Sequence, residues 1–300
     1  MCKVLSLFQY QELFGTEEAC FKYLIAMRWP NGFKCPKCGH TEAYTLRRRK
    51  LFQCKSCKHQ TSVTAGTVFH KLRQPLTKLF LAIYLISTNK KGISALELQR
   101  KIGLKSYQTA WTLQHKLRKA MKSSNSFPLT DPVEVDETYI GGKRHGKAGR
   151  GAENKALVAV AVETRDKKRM GRTYLSPIEN AGKEELCQFV EKHVKPGTIV
   201  KTDGWISYQD LASNYIHKPS KLYSPDDAAK LLPKVHIIIA NAKMWMRGTF
   251  NRYPSSKHLE RYLEEFQFRF NRRWNIDNIF DSLLERCIQR TTITFAELTG

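Results

Sequence analysis

Two Cys-x-x-Cys pairs near the amino terminus place the strongest constraint on how this chain folds. Cys35 and Cys38 form the first pair, Cys54 and Cys57 form the second, and fifteen residues separate them. That separation is typical of a four-cysteine structural zinc site. Each pair turns two thiolates toward one point, and two pairs complete a tetrahedron. The sequence therefore predicts a zinc ribbon with Zn²⁺ as its structural cofactor.

The apolar segments are short. The amino terminus lacks the apolar stretch of a secretory signal, and the longest apolar stretch, at 79–86, is too short to span a bilayer. We therefore expect a soluble cytoplasmic protein, associated with the nucleoid and without a membrane partner. In that compartment cysteines are thiols or metal ligands, and disulfides are rare.

The charge of the chain indicates a polyanionic partner. Lysine and arginine number 51 against 27 aspartates and glutamates, so the formal net charge is +24. Such an excess repels itself in a compact protein, and a DNA phosphate backbone is the commonest partner that relieves it. Scattered surface charge on a basic soluble protein is the alternative. A peripheral membrane protein is disfavoured because the sequence has no amphipathic anchor.

The pattern of residue types changes along the chain, and these changes predict an α+β multidomain fold. An amino-terminal zinc ribbon and a helix-turn-helix-like region precede a carboxy-terminal α/β domain with a mixed sheet. The predicted segments are a helical segment (1–32), the zinc ribbon (33–70), a helical DNA-binding region (71–122), a polar linker (123–131), the α/β domain (132–290) and a tail (291–300).

Two predicted helices, 94–102 and 106–121, flank a turn at Gly103. In a helix-turn-helix the second helix enters the major groove of DNA and its amino-terminal residues contact bases. The same pattern also fits a plain pair of helices with solvated charges. The residues predicted to contact DNA in this half of the chain lie at the start of the second helix and in the ribbon hairpin: Ser106, Tyr107, Gln108, Thr109, Arg47, Arg48, Arg49 and Lys50.

Two aspartates end apolar strand-like segments in the α/β domain. Asp136 ends the alternating segment 133–136, and Asp203 ends the apolar segment 199–203. Metal-dependent phosphoryl transfer needs carboxylates brought together from separate segments, and an acid on a buried strand is costly unless paired or metal-bound. Turn or cap aspartates are the alternative interpretation. Glu137 alternates to the opposite face and is not expected to be a ligand.

Several longer motifs carry a family resemblance. The segments VDETYIGGK, TDGW, NAKMWMRGTF and HLERYLEEFQFRFNRR, together with the block from CPKCGH to TSVTAGTVFHKLRQPL, resemble the zinc-ribbon-bearing DDE-type transposases of bacterial insertion sequences. The resemblance covers nearly the whole chain. It implies a ribonuclease-H-like catalytic domain, dependence on Mg²⁺ or Mn²⁺, and action on the terminal inverted repeats of the element.

The resemblance also implies roles for individual residues. Asp136 and Asp203 match the first two metal-binding acids, and Asn241 stands at the third position, where its alternative interpretation is a helix N-cap. Asn241 follows an apolar run, 235–240, and is expected to begin a helix. Glu265 is the alternative third acid, and Lys243 is expected to reach a DNA phosphate.

The remaining predictions concern phosphate contacts and function. His236 is interpreted as a core histidine, and a dimer or larger oligomer is expected because two DNA ends must be brought together. A zinc-ribbon transcriptional regulator and a catalytically inactive transposase relative remain alternatives. The further predicted DNA contacts in the catalytic domain are Arg144, Lys147, Arg150, Arg247, Arg272 and Arg273.

Overall fold

A computed structural model describes residues 5–123, 127–141, 155–166, 169–220 and 228–300. The chain forms two compact units, one of Met1–Met121 with Asn275–Gly300 and the other of Lys122–Trp274. Within the described ranges, no helix combines the length and the apolar character needed to cross a membrane.

The first unit combines a small sheet with seven α-helices among its described residues. Its strands β1 (Ala43–Leu46), β2 (Leu51–Cys54) and β3 (Gln60–Ser62) pair antiparallel in that order. Its helices are α1 (Leu7–Phe14), α2 (Glu17–Arg28), α3 (Leu76–Thr88), α4 (Ala95–Ile102), α5 (Tyr107–Met121), α10 (Ile279–Gln289) and α11 (Phe295–Thr299).

The end of the chain belongs to this first unit, which corrects the predicted boundary at 290. Phe280 on α10 packs against Phe14, with ring centroids 5.3 Å apart, and lies beside Phe80. Burying these aromatic rings together outweighs sequence proximity to the α/β domain. The predicted tail is also ordered, since α11 begins with a capping box in which Thr294 and Glu297 satisfy each other's backbone N–H groups.

The second unit contains a five-stranded mixed sheet. Strands β6, β5 and β4 are antiparallel neighbours, and β7 and β8 continue the sheet parallel to β4. This arrangement confirms the predicted mixed sheet. The elements are β4 (Val133–Ile140), β5 (Ala156–Thr164), β6 (Met170–Ile178), α6 (Lys183–His193), β7 (Ile199–Thr202), β8 (Ile216–Pro219), α7 (Ala228–Leu231), α8 (Pro233–Phe250) and α9 (Ser256–Phe270).

Two layers of helix cover the sheet. Val133 and Val135 of β4 pack with α6 and the 3-10 helix Ile206–Ser213 on one face. Val158 and Val160 of β5 pack with α8 and α9 on the other. Because side chains alternate along a strand, residues 134, 136 and 138 of β4 face the layer that contains α8.

Helix α8 is longer than the sequence indicated. The apolar run at 235–240, expected to precede a helix beginning at Asn241, forms the first half of one 18-residue helix. Val235, Ile238, Ala242 and Met246 are buried, a spacing that gives one apolar helical face. Packing of that face on β5 overrides the low helix propensity of consecutive β-branched residues.

Candidate functional site

The four predicted zinc ligands converge. Their sulfur atoms all lie within 4.8 Å of one another, with Cys35 Sγ 3.7 Å from Cys57 Sγ and Cys38 Sγ 3.6 Å from Cys54 Sγ. Tetrahedral ligands at a Zn–S distance of about 2.3 Å are about 3.8 Å apart. The cluster therefore fits the zinc ribbon that the spacing predicted.

The two knuckles share one backbone design. The N–H of Cys35 donates to His40 O over 2.9 Å, and the N–H of Cys54 donates to His59 O over 3.0 Å. Each knuckle ends at a residue with a left-handed backbone conformation. In the first knuckle this residue is Gly39, with φ +77°. Although desolvation opposes ionisation, hydrogen bonds from the backbone of Cys38 and Lys37 lower the pKa of the Cys35 thiol to about 6.

The ribbon hairpin presents basic side chains to solvent. Arg47, Arg48 and Arg49 form a short 3-10 helix between β1 and β2, and all three are exposed. Lys50 adopts a left-handed conformation, and its Nζ lies 3.3 Å from Glu17 Oε2. Three of the four predicted DNA contacts here are thus open to a phosphate backbone, and the fourth is held by an ion pair.

The predicted helix pair is present. Ser94 caps α4, which ends at Gly103 with φ +63°, and α5 begins at Tyr107. Glycine adopts this left-handed conformation without steric cost. Ser106, Tyr107 and Gln108 are exposed at the start of α5, and Thr109 is half-buried. This end of the helix is therefore accessible to a ligand.

The second half of α5, including its basic residues, is largely buried. His115, Lys116 and Arg118 are at most 6% exposed. Lys116 Nζ donates to Thr292 Oγ1 over 2.6 Å, and Arg118 Nη2 donates to Gln114 Oε1 over 3.2 Å. The carboxy-terminal segment of the chain covers this face of the helix.

The two predicted catalytic aspartates lie on neighbouring parallel strands. Asp136 belongs to β4, and Asp203 follows the last residue of β7. The strands pair with Val133 beside Val200 and Glu134 beside Lys201. The same offset relates Asp136 to Asp203, which lies one residue beyond the last residue of β7. Neighbouring strands in a sheet are about 4.8 Å apart, so carboxylates at the same height on the two strands can bind one metal ion.

Asp203 is held at the end of its strand by a turn. Its Oδ1 accepts a hydrogen bond from the N–H of Trp205 over 3.0 Å. One carboxylate oxygen of Asp203 therefore stabilises a turn, as the alternative interpretation of this residue predicted. Gly204 has φ +79°, and a Cβ there would lie 3.1 Å from Ser220 O. The turn therefore requires glycine, and it leaves Asp203 only half-buried.

Tyr208 lies within electrostatic range of both aspartates. Its hydroxyl is buried and donates to Glu137 Oε2 over 3.0 Å. Burial raises the pKa of this phenol well above its usual value, and the negative charges of Glu137, Asp136 and Asp203 raise it further. Glu137 lies on the face of β4 opposite Asp136, as its position in the strand predicts. The three acids thus concentrate negative charge around the middle of β4 and the carboxyl end of β7.

Helix α8 is anchored to the other face of β4 at its first turn. The buried carboxylate of Glu134 accepts hydrogen bonds from the N–H groups of Lys234 over 2.8 Å and Val235 over 3.0 Å. These groups have no partner within the helix. The carboxylate also interacts favourably with the positive end of the helix dipole.

Further along the same face, α8 brings two cationic or titratable side chains to β4. His236 Nε2 lies 3.6 Å from Asp136 Oδ2, and Lys243 Nζ donates to Thr138 Oγ1 over 2.7 Å. Desolvation and the charge of Lys155 lower the pKa of Lys243, while Asp136 opposes that change. Lys243 therefore lies within electrostatic reach of Asp136.

Asn241 lies elsewhere on the helix. At 100° per residue it stands about 140° around α8 from His236. It precedes Trp245 by one turn, and the Trp245 ring packs 6.0 Å from Phe266 on α9. Asn241 therefore lies on the α9 flank of α8, within the third turn instead of at an N-cap. The structure does not bring it to the Asp136 carboxylate.

The alternative acid, Glu265, is engaged within α9. It is 2% exposed, and its Oε1 lies 3.5 Å from Arg269 Nη1. Its neighbour Glu264 is also buried, and burial raises the pKa of Glu264 to about 7. Both acids therefore lie in the packed interior of the α9 layer.

The predicted phosphate contacts in the second unit divide into two kinds. Arg247 is exposed, one turn beyond Lys243 on the same flank of α8. Arg272 stacks on Phe268 at 4.0 Å. Arg273 stacks on Phe270 at 3.8 Å and donates to Gly171 O over 3.2 Å. Arg272 and Arg273 thus have structural partners, on α9 for Arg272 and on both α9 and β6 for Arg273. Three further predicted contacts lie outside the described residues: Arg144, Lys147 and Arg150.

Glu134 and His236 are the residues whose contribution the sequence did not reveal. The available signal for Glu134 was its spacing, since it precedes Asp136 by two on an otherwise apolar strand and so shares its face. No sequence pattern indicated a role for His236, because the apolar residues around it resemble a strand.

The comparisons with known proteins agree with this architecture. Residues 128–271 match the family model of the ISXO2-like transposase domain, and residues 15–60 match that of the transposase zinc-ribbon domain. The chain is also similar to an uncharacterized protein in transposable element ISH50 of Halobacterium salinarum. That protein is 25% identical over 280 residues, which cover 85% of this chain and 91% of the relative. The chain therefore belongs to the zinc-ribbon-bearing DDE-type transposases of insertion sequences.

Proposed function

We propose that this chain binds the terminal inverted repeats of its element and catalyses metal-dependent DNA cleavage and strand transfer. The observation that carries the proposal is that β4, which contains Asp136, and β7, which Asp203 directly follows, are adjacent parallel strands. Carboxylate oxygens are the ligands that Mg²⁺ and Mn²⁺ prefer. Two half-buried acids on neighbouring strands supply such oxygens. A protein with this function acts at the nucleoid, in the cytoplasm.

The residues around the aspartates support the chemistry. A divalent ion held by Asp136 and Asp203 would neutralise charge on the reacting phosphate and activate the attacking oxygen. Hydrolysis breaks the phosphodiester bond at the element end and leaves a 3′-hydroxyl, which then attacks a phosphate of target DNA and displaces another 3′-oxygen. Lys243 and the exposed Arg247 lie on the flank of α8 beside Asp136, where they would bind the DNA backbone.

The amino-terminal unit would supply DNA recognition. The exposed start of α5 and the exposed arginines of the ribbon hairpin provide base and phosphate contacts. Two element ends must be joined to one target, so the active species is at least a dimer. The resemblance assigns the third metal position to Asn241, with Glu265 as its alternative, and no contact among the described residues supports either assignment.

Cleavage of a DNA fragment carrying the inverted repeat tests this proposal. With Mn²⁺ or Mg²⁺, the wild-type chain should nick and join the fragment, and Asp136→Ala and Asp203→Ala should each reduce the rate by at least about a thousandfold. Glu179→Ala, an exposed acid on the same unit, is the matched control. Specific binding without cleavage would indicate the regulator or the inactive relative. Cleavage at the wild-type rate by either aspartate variant would refute the assignment.

A further inference from the structure

His236 lies where α8 passes the Asp136 carboxylate. Its Nε2 is shielded from solvent and has no hydrogen-bond partner among the residues that the structure describes. The distance to Asp136 Oδ2 is 3.6 Å, beyond the range of a hydrogen bond. The two atoms are nevertheless close enough to bind one ion. Ligands at about 2.1 Å from a metal are about 3.0 Å apart at a right angle and about 3.4 Å apart at the tetrahedral angle.

The rotation of α8 about its axis is fixed at two points. Glu134 holds the first turn through the N–H groups of Lys234 and Val235, and Thr138 accepts a hydrogen bond from Lys243 two turns later. Glu134, Asp136 and Thr138 share one face of β4. A helix fixed to the first and third of these positions must present His236 to the second.

The same rotation turns Asn241 away. Trp245, one turn beyond Asn241, packs on Phe266 of α9, on the opposite flank from β4 and β7. An amide there cannot approach an ion held between the two strands unless the helix turns through more than about 100°. Such a rotation would expose Val235 and Ile238, which are fully buried.

We propose that His236 supplies an imidazole nitrogen to the metal ion held by Asp136 and Asp203, and that Asn241 is not a ligand. This inference rests on the proposed function, because it assumes that an ion binds the two aspartates. The donors come from three elements, namely β4, the end of β7 and α8. Imidazole suits Mn²⁺ better than the strictly oxygen-seeking Mg²⁺, so the site should discriminate between the two ions.

Pulsed electron paramagnetic resonance of Mn²⁺ bound to the zinc-loaded full chain tests the inference. A directly bound imidazole gives a ¹⁴N coupling that carboxylate and amide oxygens do not. The wild-type spectrum should contain this coupling, Asn241→Ala should keep it, and His236→Gln should lose it with at least about tenfold weaker Mn²⁺ affinity. His236→Asp should restore Mn²⁺ affinity without the coupling and should narrow the preference for Mn²⁺ over Mg²⁺.

The outcomes separate the two proposals. Mn²⁺ binding that Asp136→Asn abolishes, but that shows no ¹⁴N coupling in the wild-type chain, overturns the role of His236 and leaves the aspartate site intact. Mn²⁺ binding that Asp136→Asn does not change overturns the aspartate site itself. Glu137→Gln is the electrostatic control, because it removes a neighbouring charge on the opposite face and should retain the coupling. The wild-type spectrum decides the question even if a histidine variant fails to fold.

Discussion

The carboxylate of Glu134 on β4 accepts a hydrogen bond from the backbone N–H of Val235 on α8 over 3.0 Å. Glu134 is 4% exposed, so this contact joins strand and helix inside the protein. Capping of a helix by an acid from another element fixes both the position and the rotation of the helix. The side chains that α8 presents to Asp136 therefore depend on a residue that is not itself expected to bind metal or DNA.

Replacement of Glu134 should destabilise the second unit. Glu134→Ala leaves two buried N–H groups of α8 without a partner, and hydrogen bonds to a charged group contribute about 1.5–3 kcal/mol. Urea unfolding of the full chain should show a lower midpoint for the transition of this unit. An unchanged midpoint, equal to that of the exposed control Glu179→Ala, would contradict the anchoring role.

Metal analysis of the full chain should find zinc bound by the ribbon cysteines. Cys54→Ser removes one of four converging thiolates and should reduce bound zinc, measured by mass spectrometry, from about one ion per chain to nearly none. A chelator should melt the ribbon of the wild-type chain. Cys187→Ser, a half-buried cysteine of the other unit, should keep its zinc. Equal zinc in the two variants would count against the site.

Replacement of Arg172 should leave the buried carboxylate of Glu163 without the guanidinium that now pairs with it. Glu163 is 1% exposed and accepts from the N–H of Thr130 and from the backbone and guanidinium of Arg172. Desolvation would raise the pKa of Glu163, yet the bonds to Arg172 hold it below the usual value. Arg172→Ala should therefore lower the free energy of unfolding by about 3 kcal/mol at neutral pH.

The matched control is Arg169→Ala, whose guanidinium forms an exposed pair with Asp166. It should change stability by less than about 1 kcal/mol. Similar losses in both variants would show that the buried network contributes no more than a surface pair.

Glu264 should make the stability of the chain depend on pH. Burial raises its folded-state pKa from 4.5 to about 7, so the folded state retains a proton that the unfolded state loses. The contribution of Glu264 to stability is therefore greatest below pH 4.5 and falls as pH rises to about 7. Glu264→Gln should remove this fall and stabilise the chain at pH 8 by about 1–3 kcal/mol.

Denaturant titrations at several pH values check this expectation. Glu260→Gln removes the exposed acid that also pairs with Lys122, so it separates loss of that ion pair from loss of the buried carboxyl. A pH slope that survives in Glu264→Gln would exclude this residue as its source.

The exposed start of α5 should determine sequence preference in DNA binding. Gln108→Ala should weaken binding to the inverted repeat by about 1–3 kcal/mol and leave binding to unrelated DNA nearly unchanged, because base contacts carry specificity and phosphate contacts do not. Gel-shift titration at fixed salt measures both. Gln289→Ala, exposed on α10 of the same unit, is the control. Equal losses on both DNA sequences would argue against base contact by Gln108.

The sequence alone determined the parts of this protein that depend on short-range spacing. The Cys-x-x-Cys pairs specify their own geometry, since two residues between thiolates form a knuckle whatever surrounds it. Gly103 ends α4 because a left-handed cap needs glycine. Asp136 was identifiable because strand alternation and the family motif agree at that residue.

Only the tertiary structure decided which side chains of α8 face β4. The apolar run at 235–240 fits a strand or a helix equally well by pattern, and burial against β5 selects the helix. Its rotation is then set by Glu134 and Thr138, which lie about a hundred residues away in sequence. The position of His236 beside Asp136, and of Asn241 away from it, follows from those long-range contacts, which no local pattern encodes.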